Sequence, residues 1–188
     1  MRTLHPLVVA GFLGLSGLAA TGIAACGSSS PPPVVNVTGS TVPLPAGKNP
    51  SPISKEVCSA KAQREISEAL GVTPTKVTTP TWVDHLYSCE FEYPGASFGL
   101  SVKELSSWPQ TYAWFGSLQS QFGDTGSLGN LGQGAFSEND GSVVVRKDWK
   151  ILTVDITGLP SQFGVPPTSA DSVAVTVADV ILGCWAGD

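Results

Sequence analysis

Leu86-Tyr87-Ser88-Cys89-Glu90-Phe91-Glu92-Tyr93-Pro94-Gly95-Ala96-Ser97-Phe98-Gly99-Leu100-Ser101-Val102-Lys103-Glu104 is the stretch that decides the fold class. Its first eight residues alternate, with Tyr87, Cys89, Phe91 and Tyr93 on one face and Ser88, Glu90 and Glu92 on the other. That period belongs to a strand with one buried side. Pro94-Gly95 then reverses the chain into Ala96 to Glu104, and two strands joined by so short a turn make a hairpin.

Upstream, Ser54 is placed to cap a helix in which Cys58, Ala62, Ile66, Ala69 and Leu70 recur at helical spacing before Gly71. Lys61, Gln63, Arg64, Glu65 and Glu68 form its polar face. The Thr-rich stretch from Thr73-Pro74 to Pro80 suits a loop or an edge strand, because proline cannot donate to a ladder. Downstream, Ser106 or Ser107 caps a second helix carrying Trp108, Tyr112, Phe115, Leu118 and Phe122 up to Gly123. A Gly/Ser-rich loop follows.

Ala135 to Glu138, Ser142 to Arg146 and Lys150 to Ile156 read as three more short strands, turned by Asn139-Asp140-Gly141 and Lys147-Asp148. Asp-Gly between apolar runs is a strong hairpin signal. From Thr168 or Ser169, the residues Val173, Ala174, Val177, Val180 and Ile181 share one helical face before Gly183, although their β-branched density also suits a strand. The expected fold is α+β: an antiparallel sheet of about five to six strands, packed on one face by three helices, behind a signal peptide and a disordered tether.

The 188 residues hold one domain with a tail, and only 13 % of them are charged. Met1 to Pro6 carry one firm positive charge, and Leu7 to Ala25 carry none, which is the pattern of a secretory signal. Ile23-Ala24-Ala25-Cys26 resembles the lipobox of bacterial lipoproteins. That resemblance implies cleavage after Ala25 and lipid on the Cys26 thiol, a nucleophile suited to diacylglyceryl transfer. An uncleaved membrane helix is the alternative, but glycines dilute the run and no Lys or Arg follows to stop transfer.

Residues 1–25 are therefore expected to be a lipoprotein signal peptide and residues 26–53 a lipidated tether rich in Pro, Ser and Thr. The globular domain is expected to span 54–188. The tether has no core to bury, and its prolines favour extended segments. Asn36-Val37-Thr38 fits an N-glycosylation pattern, and Thr38, Ser40 and Thr41 suit hydroxyl glycosylation. Cleavage removes Arg2 and no acid, taking the net charge from −5 to −6. Such a chain has little to offer a phosphate backbone, so nucleic acid is not an expected partner.

The lipobox, the Pro/Ser/Thr tether, a helix opened by a cysteine and closed by Leu70-Gly71, Ser88-Cys89 on a strand, and Leu131-Gly132-Gln133-Gly134-Ala135-Phe136 ahead of Val143-Val144-Val145-Arg146 together resemble the small actinobacterial, especially mycobacterial, lipoproteins of uncharacterised function. The same outline is similar to the extracellular sensor domains of mycobacterial receptor kinases. The resemblance implies a Cys58–Cys89 disulfide; Cys184–Cys58 is the rival pairing, because an antiparallel last helix would bring its end beside the start of the first. An exported domain meets the oxidising surroundings in which such a bridge forms.

Chemistry-bearing patterns are sparse. Gly95-Ala96-Ser97-Phe98-Gly99 matches G-x-S-x-G, but it lies between two strands, and the one mature histidine, His85, precedes it. Asp84-His85 reads as a solvated loop pair, Gly129 to Gly134 as a loop, and Glu90 with Glu92 as a strand surface. No catalytic residue, metal ligand or cofactor is expected. Trp82, Trp114 and Trp149 fall in a loop, off a helix's apolar face and in a turn, where exposed rings would form a binding patch. Trp108, Tyr112 and Phe115 read as core.

The function these readings lead to is a non-enzymatic, lipid-anchored binding or interaction module on the extracytoplasmic face of the cell membrane. An envelope protein or a glycolipid would be its ligand. A lipid or glycolipid carrier is the alternative, and it would need an apolar cavity of several hundred cubic ångströms. A hydrolase comes third.

Overall fold

A computed structural model describes residues 43–123 and 126–185. The signal segment, Cys26 and the glycosylation candidates Asn36, Thr38, Ser40 and Thr41 lie outside the described residues. In chain order the elements begin with α1 (Pro52–Glu56), α2 (Ala60–Leu70), β1 (Lys76–Val77), β2 (Thr81–Val83), β3 (Leu86–Tyr93), β4 (Ala96–Glu104) and α3 (Trp108–Phe122). They continue with β5 (Gly126–Ser127), β6 (Ala135–Ser137), β7 (Val143–Lys147), β8 (Lys150–Asp155), β9 (Gln162–Phe163), β10 (Thr168–Ser169) and α4 (Ala170–Cys184).

The fold is α+β. Eight strands form an antiparallel sheet in the order β1-β3-β4-β8-β7-β6-β5, with β2 also paired to β3 along the same edge. β9 and β10 make a separate two-stranded ribbon. The sheet exceeds the expected five to six strands because two-residue pieces at both edges, β1 and β5, are too short to leave an alternation in the sequence. The central hairpin holds the expected register, Tyr93 opposite Ala96 through Leu86 opposite Lys103.

One side of the sheet packs on α2 and α4. Phe91, Phe98, Leu100, Val102, Val143, Val145, Leu152 and Val154 from the strands meet Ile66, Leu70, Val173, Val177 and Ile181 from the helices, all of them buried. Burying each such side chain contributes roughly 1.5–3 kcal/mol. That packing holds the β-branched α4 as a helix, which Ser169 caps by accepting a hydrogen bond from Ser172 N. Gly71 ends α2 at φ 66°, where a Cβ would also collide with the Val165 carbonyl oxygen.

Three features depart from expectation. First, the helix expected from Ser54 is two helices. Ser51 caps α1, and Ser59 opens α2 by accepting from Ala62 N at 3.1 Å. The Cys58–Cys89 disulfide ties the break between them to β3. Second, residues 46–53, expected at the end of the tether, pack on the domain. Ala46 N donates to Leu105 O, Ser51 N donates to Glu104 Oε1 at 2.7 Å, and buried Ser54 also donates to that carboxylate.

The third departure is that the helices do not share one face. α3 lies on the opposite side of the sheet from α2 and α4, over a small cluster of Phe136, Val144 and Ile151 that also takes in Leu105, Phe115 and Leu118. β7 is the reason: Val143 and Val145 face the main core, so Val144 and Arg146 face the other way and need their own cover.

Candidate functional site

Strand register builds a single row across the α3 side. Val83 pairs with Leu86, Leu86 with Lys103, Lys103 with Ile151, and Ile151 with Arg146. Directly paired residues of antiparallel strands share a face, so two cations flank an isoleucine beneath α3. The Lys103 Nζ lies 4.7 Å from the centroid of the Trp114 ring and donates to the Asp84 carbonyl. The Arg146 guanidinium lies 4.5 Å from Tyr112, 5.8 Å from Phe115 and 5.9 Å from Trp108, and its Nη2 donates to the Gln133 carbonyl.

Among the described residues neither cation meets a carboxylate, and the buried Arg146 Nε has no partner. Aromatic faces and backbone carbonyls hold both charges. Cation–π contacts of this kind contribute about 0.5–2 kcal/mol each. They also clamp α3, whose own apolar anchorage is the small Phe115–Leu118 group; the Phe115 ring meets Phe136 edge-on at 5.2 Å.

The outer surface of α3 is unusual for a solvated helix. Its fifteen residues include no charge, and Thr111 is the one buried side chain. Tyr112 is 56 % and Trp114 40 % exposed, and Val83 and Leu86 extend the apolar strip at the tip of the β2–β3 hairpin. Asp84 and His85 form that tip with φ of 49° and 60°, the left-handed conformation that two-residue hairpin turns require. Their role is to reverse the chain.

The three tryptophans singled out in the sequence do not form one patch. Trp82 pairs with Tyr87, which packs against the main core, so its ring lies on the face opposite Lys103 and Trp114. There its Nε1 donates to Lys48 O at 2.9 Å and its ring meets His85 edge-on. Trp149 is half-buried in the turn before β8, and its carbonyl accepts from Leu105 N at 2.8 Å. Trp114 alone takes the exposed position expected of it. Tyr112, expected in the core, joins it, because the ring covers Arg146 from outside instead of entering a core.

The remaining candidates sit in local strand and turn contacts. Ser97 sits within β4, and Glu92 pairs with Lys76 at 3.1 Å. Gly99 lies between Glu90 and Asp155 in register, flooring an open groove of about 350 Å³ lined by Thr78, Thr81, Ser88 and Thr157. Those hydroxyls are engaged: Thr81 with Ser88, Thr157 with Asp155, and Thr78 with the Glu90 amide. Cys58 and Cys89 are the bridged pair, as the resemblance implied. Cys184 stays outside the bridge and donates its thiol to Glu65 Oε2.

Glu138 was not visible as special in the sequence. Burial, then Asp140 and Asp155, push its carboxyl up to about 7. It borders the β6–β7 turn, which packs on the start of α4 so tightly that Gly141 has no room for a Cβ beside the Asp171 carboxylate. Among the described residues no group of three His, Cys, Asp or Glu is placed to hold a metal ion, and no helix is long and apolar enough to cross a membrane. Comparison with family models, with curated proteins and with solved structures finds no match for this chain.

Proposed function

We propose that this chain is a lipid-anchored, extracytoplasmic envelope protein whose α+β head is a non-enzymatic interaction module, of the kind found among the small actinobacterial lipoproteins it resembles. The observation that carries the proposal is the contrast between a filled interior and an apolar exterior. Between the sheet and α2/α4, Phe91, Phe98, Leu100, Val102 and Leu152 occupy the space a carried lipid would need. Outside, α3 exposes Tyr112 and Trp114 on a chargeless helix. Enrichment in aromatics with depletion of charge is the composition of an interface centre.

The anchor rests on Cys26 and the segment before it. Cys26→Ala is expected to move the protein out of the detergent phase of a membrane extract, and retention there would overturn the anchor. Native and denaturing mass spectra of the envelope-purified protein test the module. Equal masses fit an interaction surface, whereas a bound lipid released on denaturation would favour the carrier.

A further inference from the structure

We infer that the α3 face is a seat for the anionic surface of the bilayer in which the chain is anchored, so that the head lies on the membrane instead of standing off it. The inference rests on the anchor proposed above and adds to it a second, non-covalent contact. Two independent observations carry it.

The first is charge. The chain as a whole is acidic, at −5, yet the row beneath α3 holds Lys103 and Arg146 without a carboxylate partner among the described residues, and α3 contributes no acid. Asp84 is the one acid at the neighbouring hairpin tip; its backbone carbonyl accepts from Lys103, and its carboxylate charge stays in place. Glu90, Glu92 and Asp155 lie on the same side of the sheet but farther along the strands from the Lys103–Arg146 row, so an anionic surface is attracted to the α3 end of this side and repelled elsewhere. Above the cations stand Tyr112 and Trp114, the ring types that favour the headgroup level, with Val83 and Leu86 beside them to meet the acyl boundary.

The second is where the chain arrives. The described residues begin at Pro43, and their first bond to the domain is Ala46 N to Leu105 O, two residues before the Ser107 cap of α3. From there the segment passes to the other side of the sheet, where Lys48 O accepts from Trp82 and Ser51 N donates to Glu104. At Ala46 the tether therefore meets the head beside the start of α3. Sixteen residues separate Cys26 from Pro43, so Pro43 can stand no farther than roughly 60 Å from the lipid and can also approach it closely.

The test uses the full chain in vesicles of phosphatidylglycerol and phosphatidylcholine that carry brominated acyl chains, with tryptophan emission as the readout. Bromolipid is expected to quench the wild type, and Trp114→Phe, which keeps a ring over Lys103, is expected to remove roughly half or more of that quenching. Val83→Asp, at a position 63 % exposed and so tolerant of the change, should weaken it as well, and added salt should weaken it in both proteins. Wild-type emission indifferent to bromolipid, or quenching unchanged in Trp114→Phe, would overturn the seat and leave the face to a protein or a glycan. The mass of the Cys26 peptide reads the anchor separately. An unacylated chain that is still quenched leaves the seat standing and overturns the anchor, whereas an acylated chain without quenching does the reverse.

Discussion

The two faces of this sheet are covered by different chemistry. On the α2/α4 side, large apolar residues from at least four strands interlock with two helices, and a disulfide fixes the α1–α2 junction to β3. On the α3 side a single helix covers a three-residue buried cluster and is held at its flanks by rings over Lys103 and Arg146. The difference separates the side that holds the fold from the side proposed above to meet a partner. A face whose covering helix leans on weak, exposed contacts is free to use those same rings elsewhere, while the opposite face keeps the domain folded.

The largest expected effect tests the closed face. Phe91 is fully buried and stacked on Phe98 at 4.9 Å between centroids, so Phe91→Ala should cost about 3–5 kcal/mol in urea unfolding. A loss under a third of that would put the main core elsewhere. Next, replacing Cys58 and Cys89 together by Ala should cost about 2–4 kcal/mol, since the bridge spans a sequence separation of 31. Reduction of the wild type with dithiothreitol should lower the midpoint by a comparable amount.

Glu138 sharpens the comparison by pH. Its carboxyl is raised from 4.5 to about 7, so the folded state binds the proton more tightly than the unfolded chain. The stability this contributes is complete below the unfolded value and is lost as pH rises through about 7. Glu138→Gln should therefore be more stable than wild type by on the order of 2 kcal/mol near pH 8 and equal to it near pH 4. A constant difference across that range would show that ionisation is not the cause.

The smallest effect belongs to the α3 side. Tyr112→Ala should cost only about 1 kcal/mol globally, yet hydrogen exchange in α3 should quicken well beyond that in α4. Equal acceleration in both helices would mean that the two faces share one cooperative unit.

Much of this architecture was legible because turn chemistry and caps are local. Pro94-Gly95 and Gly71 each carried their own signal, and the caps of α3 and α4 were narrowed to Ser106 or Ser107 and to Thr168 or Ser169, the second of each pair being the cap. The side of the sheet taken by α3 was harder, since the spacing of Trp108, Phe115 and Leu118 declares an apolar stripe without saying what it meets. A signal did exist. Val143-Val144-Val145 is apolar on consecutive positions, which a strand covered on one side alone would not be. The separation of Trp82 from Trp114 depended on pairing parity in β2, a three-residue strand whose register no local pattern fixes. Lys103 beneath Trp114 was hidden for a similar reason, because a cation under a ring is a property of two elements that pass each other.

The position of the disulfide has a consequence for the order of events during synthesis. Cys58 and Cys89 both lie in the first half of the folded domain, whereas Cys184 closes its last helix. A polypeptide emerges amino end first, so on the export route proposed above the two bridging thiols would meet an oxidant while the third is still unmade or unexported. Vectorial emergence would then favour Cys58–Cys89 over the two pairings that need Cys184.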